Sequence, residues 1–233
     1  MHSDSMHSDK LSILFGTVDR AESAFRLIQS IEAFTPPVDY EIIVVDGSVT
    51  KSVLDFVMQR KKIIYLEDLD RKGFSHAYNM GATLATGNFI VWLNDDCEVT
   101  PGWATGALSF MNALPRAGVG GLCFNENGRH AIKQTIFSRY VANFGFIRTR
   151  LWTKLNGLDE RFPSYGSETD LCLRVLEANY CVLPVPDVCI NHYRVYDQHH
   201  KYMVEKHRPG SFSLFKKLWT KNRLQAIDLR RML

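Results

Sequence analysis

The chain has 233 residues, of which 45% are hydrophobic and 23% charged, and its formal net charge is +3. These values are ordinary for a globular protein of one large or two small domains, and they exclude a disordered or fibrous chain. No run of about 18 apolar residues occurs, so we expect no membrane-spanning helix.

The positive charge is concentrated in the C-terminal part of the chain. From Lys201 onwards, nine Lys or Arg residues stand against two Asp or Glu residues, so the first 200 residues are net acidic. This distribution argues against a nucleic-acid-binding body. The five cysteines are scattered without a CxxC pair, which predicts a reducing, cytoplasmic environment rather than a disulfide framework or a zinc site. The polar residues 1–10 predict a disordered lead-in.

The first half of the chain alternates between strand and helix patterns. Apolar and β-branched runs predict strands over residues 11–18, 41–46, 63–67 and 89–94. Helical patterns cover residues 21–34, 52–60, 75–85 and 102–114, the last with Thr100 as N-cap and Pro101 as its first residue. Such alternation predicts βαβ units, and therefore a mostly parallel sheet with helices on both faces.

The second half of the chain is less regular. Strand patterns cover residues 119–124, 132–137 and 141–147, and two short ones follow in CVLPVP and VCINHY. Helices are predicted over residues 168–179 and 212–233. We expect a single α/β domain over residues 11–200, followed by a basic amphipathic helical extension over residues 201–233.

Carboxylates follow several of the predicted strands. Asp19 follows the first, Asp46 ends the second, and Asp95 and Asp96 follow the fourth. A single Asp there is commonly only a turn residue, but ligands of open parallel sheets bind beyond the carboxyl ends of the strands. Two adjacent buried carboxylates are costly unless a cation compensates them, and Mg²⁺ or Mn²⁺ with phosphate oxygens would do so. No GxxxxGK[ST] loop occurs and no GxGxxG follows the first strand, so P-loop hydrolysis and dinucleotide-dependent hydride transfer lose support.

Three motifs together resemble glycosyltransferase family 2, of rhamnosyltransferase-like type. They are EIIVVDGS, RKGFSHAYNMGATLATGNFIVWLNDDCEVTPGW and LNGLDERFPSYGSETDLCLR, in that order. The resemblance covers about residues 11–192. It implies the GT-A fold, a single Rossmann-like domain.

The resemblance also implies a set of donor-binding residues. Asp46 would contact the nucleotide base, within a turn that includes Gly47 and Ser48. The other residues implied near the nucleotide, its sugar and its phosphates are Thr17, Asp19, Arg20, Lys72, Gly73, Asn79, Asn94 and Asp95. For the metal, a divalent Mn²⁺ or Mg²⁺, the implied ligands are Asp96 first, Asp95 second, and His192 on a late strand.

The resemblance places the catalytic base in SYGSETDLCLR. Glu168 aligns with the family's base, where the family commonly has Asp, and Asp170 is the alternative. Acidic side chains in a first helical turn can equally serve the helix dipole alone. Trp103 and Tyr165, together with Trp152 and Phe162, are candidates for an acceptor-binding platform, although core packing is an equal reading for Trp152. His200 and His207 are expected on the surface of the tail.

These residues predict a metal-dependent, inverting transfer of sugar from a nucleoside-diphosphate sugar to a hydroxyl of a glycan, polysaccharide or glycolipid. Two alternatives stay open: a nucleotidyltransferase that makes nucleotide sugars, and a non-catalytic module that binds nucleotide sugars or glycans. No nucleic-acid partner is expected. The basic tail would either pack on its own domain or make peripheral contact with the inner face of a membrane.

Overall fold

The computed structural model describes residues 9–126, 129–132, 134–136 and 138–232. The strands in chain order are β1 (Lys10–Thr17), β2 (Asp39–Asp46), β3 (Ile63–Glu67), β4 (Phe89–Trp92), β5 (Cys97–Glu98), β6 (Ala117–Glu126), β7 (Arg129–Ile132), β8 (Gln134–Ile136), β9 (Arg139–Val141), β10 (Gly145–Arg148) and β11 (Cys181–His192). The helices are α1 (Ala21–Phe34), α2 (Ser52–Val57), α3 (Phe74–Ala82), α4 (Trp103–Ala113), α5 (Thr149–Lys154), α6 (Ser167–Glu177), α7 (Gln198–Leu218) and α8 (Lys221–Met232).

One nine-stranded sheet organises the fold. Its order is β3-β2-β1-β4-β10-β6-β11-β5, with β7 beside β6, while β8 and β9 form a separate pair. Strands β3, β2, β1, β4, β6 and β11 run in one direction, and β10 lies antiparallel between β4 and β6. The predicted α/β fold with a mostly parallel sheet is therefore confirmed.

Helices cover both faces of the sheet because the β-strand sends alternate side chains to opposite sides. Leu11 and Ile13 of β1 join a core cluster with Leu27 and Ile28 of α1. Leu14 of the same strand joins a second cluster, which includes residues of α3, α5, α6 and α8. The apolar runs that predict β1, β2 and β4 are continuous because these strands are buried on both sides, whereas β3, at the edge of the sheet, is only partly buried.

The start of α4 differs from the prediction. Gly102, with a φ of +78°, stands at the N-cap, and the helix begins at Trp103. The predicted cap at Thr100 is wrong, because its hydroxyl donates instead to the carbonyl oxygen of Cys189, 2.6 Å away. Thr100 therefore ties the turn after β5 to β11.

The irregular second half contains more breaks than the sequence indicates. The strand predicted over residues 141–147 divides into the end of β9 and the separate β10, and that over 132–137 divides between β7 and β8. Lys133 and Phe137 lie outside the described residues. The two short strands predicted from CVLPVP and VCINHY form the single strand β11, whose pairing with β6 shifts register between Pro184 and Cys189. Helix α5 was not predicted.

The C-terminal helical segment also differs from its prediction. It divides into α7 and α8, and α7 begins at Gln198, well before the expected residue 212. The side chain of Asp197 caps α7 by accepting a hydrogen bond from the backbone N–H of His200 (2.6 Å). The helix continues through Pro209, a residue that usually interrupts helices. Residue 233 lies outside the described residues.

The C-terminal helices pack against their own domain. Trp219, Leu224 and Ile227 are each at most 6% exposed and belong to the second core cluster. Within the described ranges, no helix is both long and apolar enough to cross a membrane. Because α7 passes through residue 200, the division between a domain and an extension stays a prediction.

Candidate functional site

A cavity of about 410 Å³, here called the central cavity, opens beyond the carboxyl ends of β1, β2 and β4. Residues 164–169 before and within α6, and residues 192–203 leading into α7, contribute further walls. Ten of the residues predicted for the site line it: Thr17, Arg20, Gly47, Gly73, Asn94, Asp95, Asp96, Tyr165, Glu168 and His192.

Asp95 is held by a hydroxyl and a guanidinium group. Its side chain accepts a hydrogen bond from Thr17 Oγ1 (2.9 Å), and Arg20 Nη1 lies 3.5 Å from its other oxygen. Burial raises the pKa of Asp95 to about 6, although Arg20 lowers it; the neighbouring Asp96 adds to the rise. Arg20 also makes a two-point contact with Asp197, at 2.7 and 2.9 Å, so it connects the cavity to the start of α7.

Asp96 faces His192, and the backbone of β5 and β11 fixes the distance between them. His192 is paired in register with Cys97, the residue after Asp96. The backbone N–H of Tyr193 donates to the Asp96 carbonyl (2.8 Å), and that of Val195 donates to Asp96 Oδ2 (3.3 Å). Asp96 Oδ1 lies 3.3 Å from His192 Nε2, is buried, and makes no hydrogen bond. Burial acts to raise the pKa of Asp96, but His192 and the N–H of Val195 leave that pKa below its ordinary value.

Glu126 stands on the far side of His192. It is the last residue of β6 and the register partner of His192 in the β6–β11 pair. Its Oε1 lies 2.9 Å from His192 Nδ1 and 3.3 Å from Arg194 Nε. The contact with Nδ1 is not aligned as a hydrogen bond. The imidazole therefore lies between two carboxylates, with Nε2 directed to Asp96.

The Asp96–His192 pair fits a divalent cation. An oxygen and a nitrogen that each stand about 2.1 Å from one cation, at nearly a right angle, lie roughly 3 Å apart. The 3.3 Å between Oδ1 and Nε2, together with the buried oxygen that makes no hydrogen bond, matches such a pair. Among the described side chains, no group of three or more His, Cys, Asp or Glu could hold an ion. Further ligands would therefore be backbone, water or phosphate oxygens, as is usual for Mg²⁺ sites.

Glu168 enters the central cavity from the opposite wall, in the first turn of α6. Gly166, with a φ of +91°, stands before the helix, and Ser167 Oγ donates to Glu168 Oε2 (3.1 Å). Burial raises the pKa of Glu168 to about 6, although Ser167 and a backbone N–H lower it. A carboxylate with this pKa is largely ionised at neutral pH and is a stronger base than an ordinary glutamate.

Three predicted nucleotide-binding residues build the turns behind the cavity. Asp46 accepts from the backbone N–H of Ser48 (2.8 Å) and from the Tyr65 hydroxyl (3.0 Å). Asp19 accepts from the backbone N–H of Val49 (3.0 Å), while its own N–H donates to Ser48 Oγ (2.8 Å). Asp19, Asp46 and Ser48 therefore join the ends of β1 and β2, and none of them lines the cavity.

In the RKG stretch, residues 71–73, the basic side chain that lines the cavity is not the predicted one. Lys72 is exposed and pairs with Asp70 at 2.7 Å, whereas Arg71 lines the cavity. Arg71 has a φ of +47°, in a turn where its N–H donates to Asp68 Oδ1 (3.0 Å). Gly73 follows with a φ of +109°, and a Cβ there would lie 2.2 Å from the Pro163 carbonyl oxygen. This position can therefore hold only glycine without a backbone shift.

Several other predicted residues lie away from the cavity. Asn79 donates to Leu158 O (2.8 Å) and to Glu160 (3.0 Å), and so it holds the loop before α6. Asp170 is 2% exposed and accepts from Arg174 Nε (2.6 Å) and Trp219 Nε1 (2.9 Å). The aromatic residues proposed for the acceptor platform are, apart from Tyr165, core residues at most 5% exposed: Trp103, Trp152 and Phe162.

The structure adds cavity residues that the sequence analysis did not select. Besides Arg71, the most informative are Arg194, Val195, His200 and Met203. His200 was expected on the surface, which is wrong because the inner face of α7 turns towards the cavity. The available signal was the short distance along the chain from His192, combined with Asp197 as an N-cap residue before a helix that begins at Gln198 rather than at residue 212.

Comparisons with known proteins agree with this geometry. The sequence model of the family described as "Glycosyl transferase family 2" matches residues 12–162. A search of curated protein sequences finds no match. Among solved structures, a mannosyltransferase from Pyrobaculum calidifontis in complex with GDP-Man and Mn²⁺ has a TM-score of 0.73 at 15% identity, over 97% of this chain and 70% of that one.

Two further solved structures share the fold. S. aureus TarS 1-349 in complex with UDP has a TM-score of 0.67 at 15% identity, over 88% of this chain and 75% of that one. GalNAc-T7 with UDP, GalNAc and Mn²⁺ has a TM-score of 0.68 at 14% identity; the match covers 81% of this chain but only 44% of that protein. With the family match extending over more than half of its residues, the chain belongs to glycosyltransferase family 2.

Proposed function

We propose that this chain transfers a sugar from a nucleoside-diphosphate sugar to a hydroxyl group, with inversion at the anomeric carbon and with a divalent cation, Mn²⁺ or Mg²⁺. The observation that carries the proposal is the composition of the central cavity. A cation-compatible pair, Asp96 and His192, and a carboxylate of raised pKa, Glu168, line the same space.

The solved structures with the same fold support the choice of ligands. The mannosyltransferase is in complex with GDP-Man and Mn²⁺, GalNAc-T7 is with UDP, GalNAc and Mn²⁺, and TarS is in complex with UDP. We extend this ligand class to the present chain because its own residues fit it, with Arg20, Arg71 and Arg194 as basic side chains at the cavity wall.

In the proposed reaction, Glu168 accepts the proton of the acceptor hydroxyl. The freed oxygen forms a bond to the anomeric carbon, and the bond from that carbon to the diphosphate breaks on the opposite face. A cation held by Asp96 and His192 would stabilise the charge that develops on the diphosphate. Arg20, held by Asp197, neutralises Asp95 at the same wall, and Tyr165 stands beside Glu168 where the acceptor would enter. The acceptor would be a glycan, polysaccharide or glycolipid.

The test begins with a thermal-shift screen of UDP, GDP and dTDP, each with Mn²⁺, because binding to the native state raises the melting temperature. The best nucleotide then guides a transfer or donor-hydrolysis assay, with dTDP-rhamnose included because of the rhamnosyltransferase-like motifs. Asp96→Asn should remove the Mn²⁺-dependent part of nucleotide binding. Glu168→Gln should leave binding within about twofold and lower turnover by roughly 10² to 10⁴-fold.

Glu22→Gln is the matched control, since Glu22 is an exposed residue of α1 outside the cavity. Its turnover should equal that of the original chain. Normal turnover in Glu168→Gln would exclude Glu168 as the base. Pyrophosphate release from a sugar 1-phosphate and a nucleoside triphosphate would indicate a nucleotidyltransferase instead.

A further inference from the structure

Helix α7 has two contrasting faces. Its inner face contributes His200 and Met203 to the central cavity, and Ser211 is buried further along the same side. Its outer face consists of two neighbouring rows at helical spacing, all exposed: Lys201, Glu205, Arg208, Phe212 and Lys216 in one row, and Tyr202, Lys206, Pro209, Ser213 and Lys217 in the other.

The outer face is strongly basic. It carries five Lys or Arg side chains and one acidic side chain, Glu205. By contrast, the first 200 residues of the chain are net acidic. Five of the nine basic residues that follow residue 200 therefore lie on this one face, and a partner that covers it should be negatively charged.

Two aromatic rings project from the same face. Phe212 is 61% exposed and Tyr202 is 51% exposed. Each has a lysine ammonium above its ring, Lys216 at 4.4 Å from Phe212 and Lys206 at 4.9 Å from Tyr202. Exposed rings among flexible ammonium groups suit the boundary between lipid headgroups and acyl chains, where the ring is buried and the lysine stem reaches back to the headgroups.

We propose that the outer face of α7 is a docking surface for an anionic lipid bilayer. Charge complementarity and the exposed Phe212 favour a bilayer over a nucleic acid. Residues 1–200 are net acidic, which disfavours a polynucleotide that extends beyond α7, and the outer face of a single helix has no groove to hold one. A bilayer needs only positive charge and an apolar group that can enter it.

Docking of α7 would place the cavity beside the membrane. The inner face of the helix lines the cavity, and its capping residue Asp197 contacts Arg20, which contacts Asp95. Membrane contact and the nucleotide site would therefore lie on two faces of one helix. An acceptor carried by a lipid would then be held about one helix diameter from the cavity, an inference that rests on the proposed transfer reaction.

The test is binding of the full chain to vesicles, measured by flotation without nucleotide or sugar donor. Vesicles of phosphatidylcholine alone are compared with vesicles containing roughly 30% phosphatidylglycerol, first at about 0.1 M and then at about 0.5 M salt. We expect binding only to the anionic vesicles, and weaker binding at the higher salt. Because the assay contains no donor, its failure would leave the proposed transfer reaction untouched.

Two variants separate the contributions of charge and ring. Lys216→Glu combined with Lys217→Glu should lower the vesicle partition coefficient by at least about tenfold. Phe212→Ser keeps the charge and should weaken vesicle binding several-fold, while leaving any binding to poly(U) RNA unchanged. Lys61→Glu and Met58→Ser are the matched controls, since both residues are exposed near α2, outside the helix α7, and both variants should bind like the original chain.

Three results would overturn the proposal. The first is that the full chain fails to float with anionic vesicles at the lower salt. The second combines two observations: Phe212→Ser binds vesicles as well as the original chain does, and the original chain binds poly(U) more tightly than it binds vesicles. Together they would indicate a nucleic-acid surface. The third is an equal loss of binding in Lys61→Glu, which would show that total charge matters rather than the α7 face. Circular dichroism of each variant ensures that a loss of binding is not a loss of folding.

Discussion

At the scale of single residues, adjacent carboxylates in the NDD motif have separate partners. Asp95 accepts a hydrogen bond from Thr17 and lies 3.5 Å from Arg20. Asp96, which precedes β5, faces His192 at the end of the neighbouring strand β11. The pKa of Asp95 is raised and that of Asp96 is lowered, because burial dominates for the first and the imidazole and a backbone N–H outweigh it for the second. The two side chains can therefore have different tasks although they are neighbours in sequence.

Glu126 should support His192 as a cation ligand. Its Oε1 lies 2.9 Å from Nδ1, and a small rotation of the carboxylate would let Nδ1–H donate to it, which leaves the Nε2 lone pair for a cation shared with Asp96. We expect Glu126→Gln to weaken Mn²⁺ binding by roughly 10 to 100-fold. The measurement is the electron paramagnetic resonance signal of free Mn²⁺, in the presence of the nucleotide that gives the largest thermal shift.

Glu98→Gln is the matched control for this prediction. Glu98 lies on β5 and accepts hydrogen bonds from Asn191 (3.2 Å) and Tyr193 (2.6 Å), on either side of His192, but it does not contact the imidazole in any described interaction. Its substitution should change Mn²⁺ binding by less than about threefold. Equal weakening in both variants would mean that any change near β11 disturbs the site, and Glu126 would lose its positioning role.

At the scale of elements, the two acidic residues in the first turn of α6 have different surroundings: Glu168 lines the central cavity and Asp170 is buried in the core. Residues two apart on a helix point about 200° apart, so Glu168 and Asp170 cannot face the same side. Glu168 lines the central cavity, while Asp170 accepts from Arg174 of the same helix and from Trp219 at the end of α7. Asp170 therefore joins α6 to the C-terminal helices.

Asp170→Asn should destabilise the fold without removing the chemistry. The change weakens a buried ion pair and disturbs the acceptor of the Trp219 N–H, which we expect to cost about 3 kcal/mol of unfolding free energy. Urea unfolding measures this loss as a lower midpoint at an unchanged slope. Turnover per folded molecule should stay within about threefold of the original chain, which assigns Asp170 to structure rather than catalysis.

Asp159→Asn serves as the comparison. Asp159 pairs with Arg161, whose side chain is 63% exposed, and such pairs contribute at most about 1 kcal/mol. If Asp170→Asn unfolds at the same urea concentration as Asp159→Asn, the buried contact with Trp219 contributes little to stability.

The sequence predicts the α/β class and the first four strands well, because buried parallel strands are short apolar runs that alternate with helical patterns and are rich in β-branched residues. The resemblance to glycosyltransferase family 2 also implies a common site for Asp95, Asp96, Glu168 and His192, and all four line one cavity. The sequence does not distinguish Arg71 from Lys72, because a left-handed turn decides which side chain points inwards. The sequence likewise does not show that Trp103 and Phe162 face the core rather than the cavity, because an aromatic residue in a motif can do either.

The C-terminal half is predicted less well for a physical reason. Strand β9 has only three residues, and β10 has four and pairs with β4, which is distant in sequence, so local pattern does not define their ends. The sequence pattern does not show where α7 starts, because Pro209 interrupts the helical pattern before residue 212. The N-cap residue Asp197 is held by a contact with Arg20, which is distant in sequence. Long-range contacts override local preference in both places.

At the scale of the whole molecule, the partly buried carboxylate of Glu168 links stability to pH. Its pKa is raised from an ordinary 4.5 to about 6, so the folded protein binds this proton more tightly than the unfolded chain does. The stabilisation from this proton is complete below about pH 4.5 and is lost as the pH rises through about 6. Ionisation of Glu168 at neutral pH therefore has a cost in stability.

Glu168→Gln should remove that pH dependence. We expect the unfolding free energy of the variant, relative to the original chain, to increase by about 2 kcal/mol between pH 4.5 and pH 7.5. Urea titrations of both proteins at several pH values give this difference directly. A difference that stays constant across the range would show that Glu168 titrates at its ordinary pKa and is hydrated in the folded protein.

The antiparallel strand β10 has a consequence for the whole site. In the described sheet it lies between β4, which leads to Asp96, and β6, which pairs with the strand that ends at His192. An added Cβ at Gly145 would lie 2.7 Å from the carbonyl oxygen of Gly120 and 3.1 Å from the Trp92 ring. Four residues of main chain thus act as a spacer that sets how far apart the two halves of the molecule stand. A methyl group added at Gly145 would force β4 and β6 further apart. That shift would misalign Asp96 and His192, although the methyl group contacts neither of them.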